Sequence, residues 1–167
     1  MPIFDRCETN GMTKADIGGV YLDTNFFIKV VEGTKETAGP ARKLVEVLRR
    51  HPQVAVTSEI SFAEVLAPSR QADALRPNHK RRAYLDLILW SRFIRLIPVS
   101  RNILIETADL RVVAPLKLPD AIHLVSAIQA HCRYFVSADK DFKKLPVSMQ
   151  RIDFDEQSIS VLIRELS

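Results

Sequence analysis

Gly18-Gly19-Val20-Tyr21-Leu22-Asp23-Thr24-Asn25 decides how this chain is read. Two glycines open a short β-favouring run, which stops on three polar residues of the kind that cap helices. The same grammar recurs downstream. Val54-Ala55-Val56 ends at Thr57-Ser58, Ile94 to Val99 ends around Pro98, and Tyr134-Phe135-Val136 ends at Ser137. Arg151-Ile152-Asp153-Phe154 is long enough for a short last strand. Helical patterns lie between these runs, over 41–50, 58–66, 83–93, 102–112 and 118–130. In the last of them, Ala121, Ile122, Val125 and Ile128 recur on one face. Short, mostly apolar strands separated by helices specify a parallel sheet buried on both faces. The expected fold is a three-layer α/β/α domain around a central, mostly parallel sheet of four to five strands.

Composition agrees with one such domain. The chain has 167 residues, 47% hydrophobic and 26% charged, which excludes disordered, collagen-like and coiled-coil classes. A single domain over 18–167 is expected, preceded by a loosely attached lead-in, 1–17, in which Met12 is a conceivable alternative start. Cys7 and Cys132 are far apart and lack the spacing of a zinc site or disulfide framework, so a reducing cytoplasm is the simplest compartment. Apolar runs such as Leu87–Trp90 fall far short of the roughly 18 residues of a membrane span. Residues 1–14 also lack the apolar stretch of a signal peptide.

The charge balance is 24 Lys+Arg against 20 Asp+Glu, a net +4. One stretch, Arg70 to Arg82, carries Arg70, Arg76, Lys80, Arg81 and Arg82 against Asp73 alone, and so matches the excess of the whole chain. A solvated helix face is the bland reading; contact with a phosphate backbone, with Arg92 or Arg95 joining if they face the same way, is the functional one.

Open α/β sheets bind ligands beyond the carboxyl ends of their strands. Four segments deliver acids there: Asp23 after the first strand, Glu64 on the helix following the second, Asp120 in the Leu118-Pro119-Asp120 helix start, and Asp139 after the fourth strand, with Asp141 two residues on. Each has a humbler explanation. Asp23 suits a helix cap, Asp120 the positive end of a helix dipole, Ser61-x-x-Glu64 a capping box and Asp139 a turn. Their joint placement is harder to dismiss, since unit charges about 4 Å apart repel by ~4 kcal/mol at an effective dielectric near 20. Converging carboxylates need a cation or shared protons. Hard oxygen donors select Mg²⁺ or Mn²⁺, and an ion so held beside a basic patch suits phosphodiester hydrolysis.

At this point the motifs resemble a family. Val20-Tyr21-Leu22-Asp23-Thr24-Asn25, Ser61-Phe62-Ala63-Glu64-Val65-Leu66, Leu118-Pro119-Asp120-Ala121-Ile122-His123 and Phe135-Val136-Ser137-Ala138-Asp139-Lys140-Asp141-Phe142 look like the successive motifs of PIN-domain ribonucleases, most of all the VapC-type toxins of toxin–antitoxin pairs. The resemblance covers about 19–155 and is most specific at Asp23-Thr24-Asn25 and at Pro119–His123. It implies that Asp23, Glu64, Asp120 and Asp139 bind metal, with Thr24, Asn25 and Ser137 as polar groups around them. It further implies a Mg²⁺-dependent endoribonuclease acting on structured RNA such as tRNA, held in check by a cognate antitoxin, and a homodimer. Three departures stand out. Ser137 occupies a position where the family usually has Thr, Asp141 competes with Asp139 for the fourth acidic role, and the lead-in exceeds the usual length.

Other residues carry weaker readings. His123 lies one helical turn after Asp120 and is expected to pack or hydrogen-bond at the rim rather than act as a base. Trp90, with Tyr84 and Leu87 at helical spacings, reads as core or interface, and Cys132 as a small buried hydrophobe. Two rival functions remain at this stage. A phosphotransferase of the haloacid-dehalogenase kind would need an Asp where Asn25 stands, and a catalytically silent RNA- or protein-binding module would have no use for mutually repelling acids.

Overall fold

The computed structural model describes residues 18–67, 76–142 and 145–167. The lead-in 1–17 and Arg70 lie outside these residues. β1 (Gly19–Leu22) runs into α1 (Thr24–Glu32) and α2 (Lys35–Leu48), followed by β2 (Ala55–Ser58), α3 (Ile60–Val65) and α4 (Pro77–Leu85). A π-helical turn (Asp86–Trp90) prolongs α4 before β3 (Ile94–Ile97). Then come α5 (Arg101–Val113), α6 (Leu118–Gln129), β4 (Cys132–Val136), β5 (Gln150–Ile152) and α7 (Glu156–Leu166). The five strands form one sheet in the order β3-β2-β1-β4-β5, and every pairing is parallel.

Strand alternation sorts the core into two layers. Val20, Leu22, Tyr134 and Val136 face one side and pack with Phe26, Leu44, Leu48 and Leu162 of α1, α2 and α7. Tyr21, Val56 and Phe135 face the other and pack with α5 and α6 through Ile103, Leu110, Ala121 and Val125. The sheet is thus covered on both faces, as the apolar strands require. Gly18 and Gly19 permit the close approach of β1 to β4: a Cβ on Gly18 would sit 2.5 Å from the Arg133 Cβ, and one on Gly19 would sit 3.1 Å from the Cys132 Sγ. Cys132 is buried, and burial pushes its thiol up to about 12, so it packs as a hydrophobe.

Helix boundaries depart from the sequence reading in several places. α2 begins at Lys35, six residues before the expected start, because Thr34 caps it by accepting from the Thr37 N–H at 3.3 Å. Pro40 sits inside the helix at the loss of one backbone bond, a cost the buried Ala38, Ala41 and Leu44 offset. α4 starts at Pro77 rather than Ala83, since proline is tolerated in a first turn, and it therefore carries most of the basic stretch. The capping box Ser61-x-x-Glu64 does not form: both residues lie inside α3, whose N-cap, Glu59, makes no side-chain capping bond. Trp90 is not core. It is 48% exposed with the Arg82 guanidinium over its ring at 4.5 Å, while Tyr84 and Leu87 are buried. No described helix is long and apolar enough to cross a membrane.

Candidate active site

β1 and β4 are neighbours at the centre of the sheet, where the chain, having gone to β2 and β3 on one side, returns to the other. Such a switch point leaves a crevice beyond the carboxyl ends of the strands. Asp23 follows β1 there. It is 4% exposed, caps α1 by accepting from the Thr24 N–H at 2.7 Å, and accepts from Ser137 Oγ at 2.7 Å and Asn25 Nδ2 at 3.4 Å. Capping and a place at the rim are therefore compatible. Burial raises its carboxyl above the ordinary range despite these hydrogen bonds.

Asp120, Asp139 and Asp141 each bring a carboxylate oxygen within 4.8 Å of the others. Asp120 is placed by the first turn of α6, after Pro119. Asp139 is held by its N–H, which donates to Ser137 Oγ at 3.0 Å, and its Oδ1 accepts the Asp141 N–H at 2.8 Å, the turn role foreseen for it. Asp141 also pairs with Lys117 at 3.5 Å. Burial, then the charges of Asp139 and Asp23, raise the Asp120 carboxyl. Its Oδ2 is buried with no hydrogen-bond partner among the described residues. A buried carboxylate oxygen left without a donor, on a residue grouped with two more carboxylates, fits a hard divalent cation.

Glu64 stands beside Asp23 rather than in the three-aspartate group. Its Oε2 accepts from Thr24 Oγ1 at 2.5 Å and lies 2.7 Å from His123 Nε2. Burial alone would raise the Glu64 carboxyl, but the bonds from His123 and Thr24 outweigh it and hold the group below its ordinary value. His123 is 1% exposed and hydrogen-bonded at both ring nitrogens, which agrees with a hydrogen-bonding role at the rim. No sequence motif places Tyr21, whose hydroxyl lies 2.8 Å from His123 Nδ1, or Ser61, whose Oγ lies 3.4 Å from Thr24 Oγ1 and 2.9 Å from Thr57 Oγ1, in this network. Strand alternation, which turns Tyr21 toward α6, is the available signal.

The basic residues are spread along α4. Arg76 and Arg81 are exposed, Lys80 pairs with Glu32 at 2.9 Å, and Arg82 pairs with Asp86 at 3.1 Å. Glu32 ends α1, so Lys80 is anchored roughly 13–14 Å along that helix from Asp23 at 1.5 Å per residue. Arg95 is tied to the Ala130 carbonyl at 3.4 Å, and Arg92 is exposed.

An all-parallel open sheet with acids gathered at its switch point defines a class of α/β proteins whose chemistry resides at the strand ends. Residues 20–147 match the PIN domain family, and the chain belongs to it. Among solved structures it is similar to a chain of a toxin–antitoxin complex from Klebsiella pneumoniae, at 25% identity and a TM-score of 0.58, with 79% of this chain and 96% of that one covered. It shares its fold with a chain of VapBC2 from Rickettsia felis bound to a DNA fragment from their promoter, at 17% identity and a TM-score of 0.59, with 81% and 98% covered. No curated protein matches the chain.

Proposed function

We propose that this PIN domain is a divalent-metal-dependent endoribonuclease and the toxin of a type II toxin–antitoxin pair. The observation that carries the reading is the meeting of the Asp120, Asp139 and Asp141 carboxylates, together with the unpartnered, buried Oδ2 of Asp120. Asp23, Glu64, Asp120 and Asp139 would hold Mg²⁺ or Mn²⁺, with Asp141 close enough to share the role. When bound, the cation supplies charge neutralisation at the phosphodiester and lowers the pKa of the attacking water. The protein's own part is placement. Ser137 fixes Asp23 relative to Asp139, Thr24 and His123 fix Glu64, and burial of Asp23 keeps competing water away from its carboxylate. Arg76 and Arg81 offer exposed cations to the phosphate backbone of RNA, structured RNA such as tRNA being the substrate class we favour.

Similarity to a chain of a toxin–antitoxin complex supports a proteinaceous antitoxin as partner. A homodimer in the cytoplasm completes the proposal. The test is cleavage of an RNA panel by purified protein, with Mg²⁺, Mn²⁺ or chelator, alongside Asp120→Asn. Chelator-sensitive cleavage that Asp120→Asn eliminates supports the reading. Tight RNA binding without cleavage under any metal overturns it in favour of a silent binding module.

A further inference from the structure

A line of hydrogen bonds runs from the sheet to Glu64 beneath the acidic rim. The Tyr21 hydroxyl, fully buried with its ring stacked on Phe135 at 5.1 Å, accepts the Ser58 N–H at 3.1 Å. Its own proton is thereby left for His123 Nδ1, 2.8 Å away. An Nδ1 that accepts leaves the ring hydrogen on Nε2, which lies 2.7 Å from Glu64 Oε2 and 3.1 Å from Thr24 Oγ1. Thr24 Oγ1 donates to the same carboxylate oxygen.

The helix carrying Glu64 could not set this geometry alone. α3 has six residues, no side-chain cap and only Ser61 and Val65 buried, far below the roughly 12–15 residues at which an isolated helix becomes even marginal. α6, by contrast, buries every residue from Ala121 to Ala127. The geometry points to His123 as a positioning residue for Glu64: Tyr21 locks it as the Nε2–H tautomer, and from the buried α6 it pins one oxygen of a carboxylate borne on the short α3. This role rests on Glu64 belonging to the proposed metal site. Donors that orient a metal-binding carboxylate are typically worth 10- to 100-fold in metal affinity.

The test combines a spectroscopic signature with a double-mutant cycle on the full chain. Histidine ¹⁵N NMR should show His123 as the Nε2–H tautomer, and Tyr21→Phe, which keeps the ring but removes the hydroxyl, should release that preference. In calorimetric Mn²⁺ titrations, His123→Ala should weaken binding 10- to 100-fold. His123→Gln, which restores an N–H at the right reach, should recover most of the loss. Adding His123→Ala to Glu64→Ala should cost nothing further. An Nδ1–H tautomer, or losses that simply add, overturns the positioning role alone. Should His123→Ala fail to fold, Tyr21→Phe in the same cycle with Glu64→Ala decides by the same criterion. Wild-type protein that takes up no Mn²⁺ overturns the nuclease reading first, and this role with it.

Discussion

Ser137 Oγ donates to Asp23 Oδ2 at 2.7 Å and accepts the Asp139 N–H at 3.0 Å, so one buried hydroxyl ties the acid after β1 to the acid after β4. A hydrogen bond to a charged group is worth about 1.5–3 kcal/mol. Ser137→Ala should therefore destabilise the protein by about that amount and reduce cleavage. Ser137→Thr, which keeps the hydroxyl, should be milder in both. Chemical denaturation and initial-rate cleavage measure the two effects.

Asp23→Asn separates the capping role from the metal role. Asparagine caps a helix about as well as aspartate, and the charged carboxylate it replaces is penalised by burial. The melting temperature should hold or rise while cleavage falls to background. Near wild-type cleavage by this variant, free of contaminating nuclease, would leave Asp23 with its cap alone.

The raised Asp120 carboxyl sets a pH dependence. Burial, followed by the charges of Asp139 and Asp23, lifts it above its unfolded value of about 3.9. Such a group favours the fold fully below that unfolded value, and the contribution disappears as pH rises through the folded value. At neutral pH the acids repel unless a cation sits among them. Millimolar Mn²⁺ should then raise the melting temperature at pH 7 and do so progressively less toward pH 4. An equal shift at both pH values would argue against these carboxylates as the binding groups.

Exposed and engaged cations on α4 should behave differently. Arg76→Ala and Arg81→Ala should each weaken RNA binding and lower the log–log salt slope by roughly 0.7–0.9. Arg82, held by Asp86 and stacked on Trp90, should matter less. Filter binding across a salt series separates these cases. An unchanged slope for Arg81→Ala would return the helix to a solvated face.

The sheet was legible because its signals are local. β1, β2 and β4 are short, mostly apolar runs followed by or ending in a polar residue, and Asp23, Ser137 and Asp139 could be placed at the rim from the chain alone. What stayed hidden depends on partners distant in sequence. No pattern says that Glu64 spends one oxygen on Thr24 and His123 instead of capping its own helix. Asp139 and Asp141 look like competitors in the sequence, whereas a turn that bonds the Asp141 N–H to Asp139 brings both to Asp120. α7 was readable and overlooked: Asp155 accepts the Ser158 N–H at 2.8 Å, and Ile159, Leu162 and Leu166 recur on its buried face. Of the two readings of Trp90, core or interface, its exposure rules out the first: the π-helical turn breaks the 3.6-residue register that would align it with the buried Tyr84 and Leu87.

The central strand β1 pairs with a neighbour translated long after it; Asp23 and Ser137 are separated by 114 positions. At ordinary elongation rates of about 5–20 residues per second, the first acid joins the chain roughly 6–23 s before Asp139 does. Parallel pairings of this span also repay their loop-closure entropy only at the end of folding. A growing polypeptide therefore carries Asp23 and Glu64 for seconds before Asp139 joins it, and the cluster can acquire its geometry only when β4 is in place beside β1.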